Sequence, residues 1–337
     1  MSNPNDPDAD IVLRSSDGVQ FRVRKSLLSD ASPVFGDMFS SIPQPNSTPD
    51  SDDTEPINLS EPSKTVKLIL SLCWHSDSPL TSLLIDSLSD IANLLQAADK
   101  YDIKSIRDTA FHSLSQPKFL ENEPLRVYAI TSRYGAYDTA ALAAQHALRY
   151  PLLHAKYFSE LEIVDGGTIY RVLQYHKQCT AAALEVATNH TWIRDGTYVF
   201  IGCPEADSGE DDDEEDNKEL ETCTTIRTQI RTHRSNKHKN GYLKSVSVHS
   251  WWAKFTATTK VALSESIYSE TIRDKGRVKE ALSSASRCSH CRRHGKSDFS
   301  EFLEAFVNEV EARVNEVSGY VPLSRSQCWI YTLDLTD

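Results

Sequence analysis

Apolar positions at the start of the chain first alternate and then shift to helical spacing. Ile11 to Leu13, the dipeptide Asp17-Gly18, and Val19, Phe21 and Val23 at period two predict a β-hairpin with Asp-Gly as its turn. Ser32-Pro33 supplies an N-cap and a first-turn proline. Val34, Phe35, Met38 and Phe39 then follow at helical spacing, which puts Phe35 in the core. Residues 40–56, dense in Ser, Pro, Asp and Thr, read as a mobile loop, and Ile57 to Leu59 as a short strand. Three amphipathic helices are expected next. The first, 63–74, carries Val66, Ile69, Leu70 and Cys73 on one face. The second, 86–100, carries Leu88, Ile91, Leu95 and Ala98. The third, 102–114, carries Ile103, Ile106, Ala110 and Leu114. Gln116-Pro117 marks a boundary.

Helical period continues beyond it. Residues 124–134 and 138–149 look like an antiparallel pair. Gly166-Gly167 opens a long helix with Ile169, Val172, Leu173, His176 and Leu184 inward. The pattern then breaks into charge: an acidic block at 210–216, followed by a basic stretch at 227–244 with Arg227, Arg231 and Arg234 at helical spacing. Helical period returns after Trp251. There Ser297 is expected to cap a helix bearing Phe299, Phe302, Leu303, Phe306, Val310 and Val317, with Gly319 at its end. The expected organisation is a disordered 1–8, a compact α+β domain over 9–116, a helical domain over 117–195, an acidic-basic low-complexity linker over 205–245, and a helical segment over 246–320 packing back on the middle domain.

Composition narrows the function. The net charge of −12 opposes phosphate, so nucleic acid is not an expected partner. The polar, acidic first ten residues do not read as a signal peptide, and no apolar run is long enough to span a bilayer. The expected location is therefore the cytoplasm or nucleus, with no membrane partner. Seven cysteines, odd in number and scattered, are expected to be reduced there.

Two stretches carry a family resemblance. One is Phe21-Arg22-Val23-Arg24-Lys25-Ser26-Leu27-Leu28 with Ser32-Pro33-Val34-Phe35-Gly36-Asp37-Met38-Phe39. The other is Ile91-Ala92-Asn93-Leu94-Leu95-Gln96-Ala97-Ala98-Asp99-Lys100-Tyr101. With Asp10 before Ile11-Val12, they resemble the BTB/POZ signature over about residues 8–115. The resemblance implies a BTB/POZ fold, a short β-sheet flanked by helices, followed here by a mainly α-helical region. It also implies homodimerisation, with Asp10 and Lys25 as a charge pair at the dimer seam and Arg24 beside them where the family often has histidine. Adaptor work for a cullin scaffold of a ubiquitin ligase is a further implication. Leu125 to Ile130, Ile169 to His176 and Trp251-Trp252 resemble segments that follow the domain in a fungal group of such proteins.

Catalytic chemistry finds little purchase. The chain shows no Walker-type glycine loop, Gly-x-Ser-x-Gly elbow or His-Glu-x-x-His motif. His176 and Cys179 are expected to pack in a core rather than act as base and nucleophile. No catalytic residue and no cofactor is expected, and the chain reads as a non-enzyme. Cys288-Ser289-His290-Cys291-Arg292-Arg293-His294 is the one ligand-dense stretch. Cys288, Cys291 and His294 have the spacing of three zinc ligands, with Cys203 or Cys223 as a fourth, but the missing second close pair favours a metal-free, reduced loop. The expected function is protein–protein association through a homodimer. The rival reading is a nuclear transcription- or chromatin-associated factor using the basic stretch 227–244.

Overall fold

The computed structural model describes residues 8–41, 55–74, 85–194, 196–201, 225–231 and 243–320. The expectations for 1–7, for most of the loop at 40–56 and for the acidic block at 210–216 lie outside them. The described chain forms two compact units: Met1–His146 with Tyr157–Asp165, and Ala147–Lys156 with Gly166–Asp337.

The first unit opens on the hairpin. Strands β1 (Ile11–Arg14) and β2 (Gln20–Val23) pair antiparallel, with Ile11 opposite Val23, and Gly18 takes φ +83° in the turn. Strand β3 (Ile57–Asn58) adds parallel to β1, giving the order β2-β1-β3. Helices α1 (Lys25–Ala31), α2 (Pro33–Ser40), α3 (Ser63–Trp74), α4 (Leu88–Tyr101) and α5 (Lys104–Leu114) flank this sheet. The predicted core residues Phe35, Val66, Ile69, Leu70, Ile91, Leu95, Ile103, Ile106 and Leu114 are all buried. The compact unit runs on past Gln116-Pro117. That dipeptide starts a short helix α6 (Pro117–Leu120) that buries Phe119 and Leu120, and α7 (Pro124–Arg133) and α8 (Tyr137–Ala147) follow. Fixing Arg126 to this unit is Glu160, in a short 3-10 turn (Ser159–Glu162), through paired hydrogen bonds of 2.9 and 2.7 Å.

In the second unit, helix α9 (Gly166–Thr188) is as long as expected, but its inward face is rotated. Thr168, Val172, Tyr175, Cys179, Ala183 and Val186 form the buried stripe, while Leu173 is exposed. Apart from Tyr175 the stripe is made of small or β-branched residues, so counting long aliphatic side chains selects the wrong edge. The expected linker at 205–245 is also corrected in part. Strands β4 (Thr225–Arg231) and β5 (Leu243–His249) pair antiparallel and bury Ile230, Val246 and Val248. Arg227 thus lies on a strand, not on a helical face. Period-two burial of these three apolar residues outweighs the surrounding charge.

Helices α10 (Ser250–Leu263), α11 (Ser269–Ile272), α12 (Lys275–Ala285) and α13 (Ser289–Tyr320) complete the unit, and both α10 and α13 pack on α9. The return of the C-terminal helices onto the middle of the chain is as expected. Helix α13 starts well before the predicted cap at Ser297, so residues 289–294 of the Cys/His stretch form the start of a helix, with Cys288 just before it, rather than a loop. The core here is aromatic. Phe200, Trp251, Trp252, Phe255, Phe299 and Phe302 meet in edge-to-face and stacked contacts with centroids 4.9 to 6.4 Å apart. Among the described residues, no helix is long and apolar enough to cross a membrane.

Candidate functional site

The three expected seam residues sit where the hairpin enters α1. Asp10 extends the ladder by one bond, its N–H donating to the Val23 carbonyl at 3.2 Å. Its exposed carboxylate accepts from the backbone N–H of Lys25 at 2.7 Å. The acid therefore sits at the positive end of α1 and ties β1 to it. Arg24, half-buried, holds its guanidinium carbon 5.8 Å from the Trp74 ring centroid. The contact between Asp10 and Lys25 runs through the lysine's backbone, a structural role that coexists with any at an interface.

The two sequence motifs meet in the core of the same unit. Ser32 caps α2 by accepting from Phe35 N–H at 3.1 Å, and its hydroxyl donates to the Tyr101 carbonyl. Phe35 stacks on the Tyr101 ring at 4.4 Å. The Tyr101 hydroxyl donates to Glu61 at 2.6 Å, and Lys100 donates to the other carboxylate oxygen at 2.8 Å. Burial works to raise the Glu61 carboxyl, but these two hydrogen bonds outweigh it and hold the group below its ordinary value. Burial, followed by the neighbouring carboxylate, raises the Tyr101 hydroxyl. Ser32, Phe35 and Tyr101 were legible as motif residues. Glu61 was not, because it lies in a loop where no periodicity applies.

His176 and Cys179 are not brought together as a catalytic pair. Cys179 is fully buried and its thiol is pushed up to about 11 by burial, the reverse of an activated nucleophile. His176 instead lies 3.3 Å from the Tyr150 carbonyl, and burial lowers its pKa.

Of the residues weighed as metal ligands, Cys223 lies outside the described residues, Cys288 and Cys291 are buried and adjacent, and His294 is exposed on α13 and stands outside their group. Cys203 lies outside the described residues. The third donor is His249, which the sequence reading missed. Its ring nitrogen and the two sulfurs lie within 4.8 Å of one another. It stands at the junction of β5 and α10, where neither strand nor helix period singles it out.

Compared with known families, residues 2–118 match the model of the BTB/POZ domain. No curated protein matches the chain.

Proposed function

We propose, from a chain whose N-terminal part is a BTB/POZ domain and so a protein-interaction fold, that the protein pairs with a second copy of itself through that domain and presents a partner to a cullin-type ubiquitin ligase scaffold. The observation that carries the reading is the domain itself, in which the Ser32, Phe35 and Tyr101 motifs close one core and leave the Asp10 and Lys25 edge at the surface. Symmetric pairing of such a domain is the simplest closed association. The helical unit that follows supplies the surface for the partner, and the protein acts in the cytoplasm or nucleus without catalysing a reaction.

Calorimetric titration of the purified full chain with the N-terminal region of a cullin scaffold tests the adaptor step. Saturable binding at one scaffold per chain supports it. Absence of heat and of co-elution removes the adaptor role while leaving self-association standing. The rival reading, a nuclear factor acting through 227–244, has Arg227 and Lys244 on paired strands rather than on a helix. It predicts salt-dependent DNA binding by the same protein in a fluorescence-anisotropy titration.

A further inference from the structure

We propose that His249, Cys288 and Cys291 form a structural zinc site that fastens the β5–α10 junction to the α12–α13 junction. All three residues are buried, at 0%, 5% and 2% exposure, and their donor atoms lie within 4.8 Å of one another. Zinc bond lengths of about 2.3 Å to sulfur and 2.0–2.1 Å to nitrogen put tetrahedral ligand atoms about 3.5–3.8 Å apart. The cluster needs only a small contraction to reach that geometry.

The backbone fixes each donor before any metal arrives. His249 N–H donates to the Phe200 carbonyl at 3.2 Å, and the preceding Val248 bridges Ile201 as well as pairing with Ile226. His249 occupies the N-cap position of α10, yet its ring makes no capping hydrogen bond to that helix. Cys288 immediately precedes α13, and its sulfur accepts from Cys291 N–H at 3.4 Å. That bond holds the Cys288 sulfur against the first helical turn, and the Cys291 sulfur lies within 4.8 Å of it. The N–H to sulfur bond is also the kind of outer contact that supports a metal-bound thiolate. One turn further on, a Cβ at Gly295 would stand 3.3 Å from the Cys291 Cβ. Glycine inside a helix is destabilising against alanine, and here it keeps the space beside that cysteine clear.

The charge balance suits the burial. Two thiols lose their protons to solvent as the ion binds, giving two thiolates, a neutral imidazole and Zn²⁺, with a neutral water completing the tetrahedron and no net charge. A buried site of that composition avoids the penalty of an uncompensated ion. Two soft sulfurs and one imidazole select zinc among the common divalent cations. Arg287, Arg292 and Arg293 are exposed beside the site and do not enter it.

Elemental analysis of the full chain, expressed in zinc-supplemented medium and purified without chelator, decides the matter. One zinc per chain is expected. Cys288→Ser, Cys291→Ser and His249→Phe should lose it, and Cys179→Ser should keep it. Cobalt added to the zinc-free protein should give thiolate-to-cobalt charge-transfer and tetrahedral d–d bands. His249→Cys preserves the donor count, so it should retain metal with a stronger charge-transfer band even if His249→Phe fails to fold. Any of three results overturns the proposal. One is a wild type with neither zinc nor cobalt bands. Another is zinc held equally by the folded Cys288→Ser and His249→Phe variants. The third is a Cys288–Cys291 disulfide in protein handled without oxygen.

Discussion

Phe35 shows how much one side chain can report. It is buried against Phe39 and Tyr101, and the capping hydroxyl of Ser32 holds its backbone. Phe35→Ala should therefore cost about 3–5 kcal/mol, the range for large aromatic truncations in a core. Chemical denaturation of the variant and wild type checks this, and an unchanged midpoint would remove Phe35 from the core. His190 makes a different prediction. Its ring lies 4.7 Å from that of Trp252, Nδ1 is 2.8 Å from the Thr228 hydroxyl, and burial lowers its pKa from 6.5 to about 4. Above pH 6.5 the ring is neutral in both folded and unfolded states and contributes nothing. Below it the unfolded chain binds the proton first, so stability falls with pH down to about 4, by up to about 3 kcal/mol. Glu61 and Glu160, held below their ordinary 4.5, act only at lower pH. Melting temperature should drop between pH 6.5 and 4.5, and His190→Gln should reduce that slope to the smaller part that His176, also lowered by burial, contributes. Equal slopes in both proteins would remove His190 as the cause.

At the scale of elements, legibility followed periodicity. The hairpin, the Ser32 cap and the helices α3, α4 and α5 were readable because each places apolar residues on one face at a single period. Strands β4 and β5 escaped because their apolar residues are interspersed with polar ones beside a strongly charged tract, and their burial depends on pairing across the chain. The zinc-site candidate was half legible: Cys-x-x-Cys is a local signal, whereas His249 joins it only through the fold. Long-range pairing also fixes α7. Burial favours a neutral Glu160, but the Arg126 hydrogen bonds hold its carboxyl below the ordinary value and keep the pair ionised. Arg126→Ala leaves that buried charge without its guanidinium and should cost about 3–5 kcal/mol. Arg126→Met with Glu160→Met should recover most of the loss. A double variant no more stable than the single one would contradict this account.

For the whole molecule, the family match covers residues 2–118, and the second unit is a separate helical body with an aromatic core. The sequence pointed to the first through three motifs in order. For the second it offered helical period, two weaker family-like segments and one Cys-x-x-Cys, so function there rests more on placement than on motif. The central claim is that the chain works as a pair. Light scattering on the size-separated full chain tests it most directly, at about 50 μM, well above the dissociation constant of a stable dimer. The account predicts a mass twice the 37.8 kDa of one chain. A single species at the mass of one chain would contradict it.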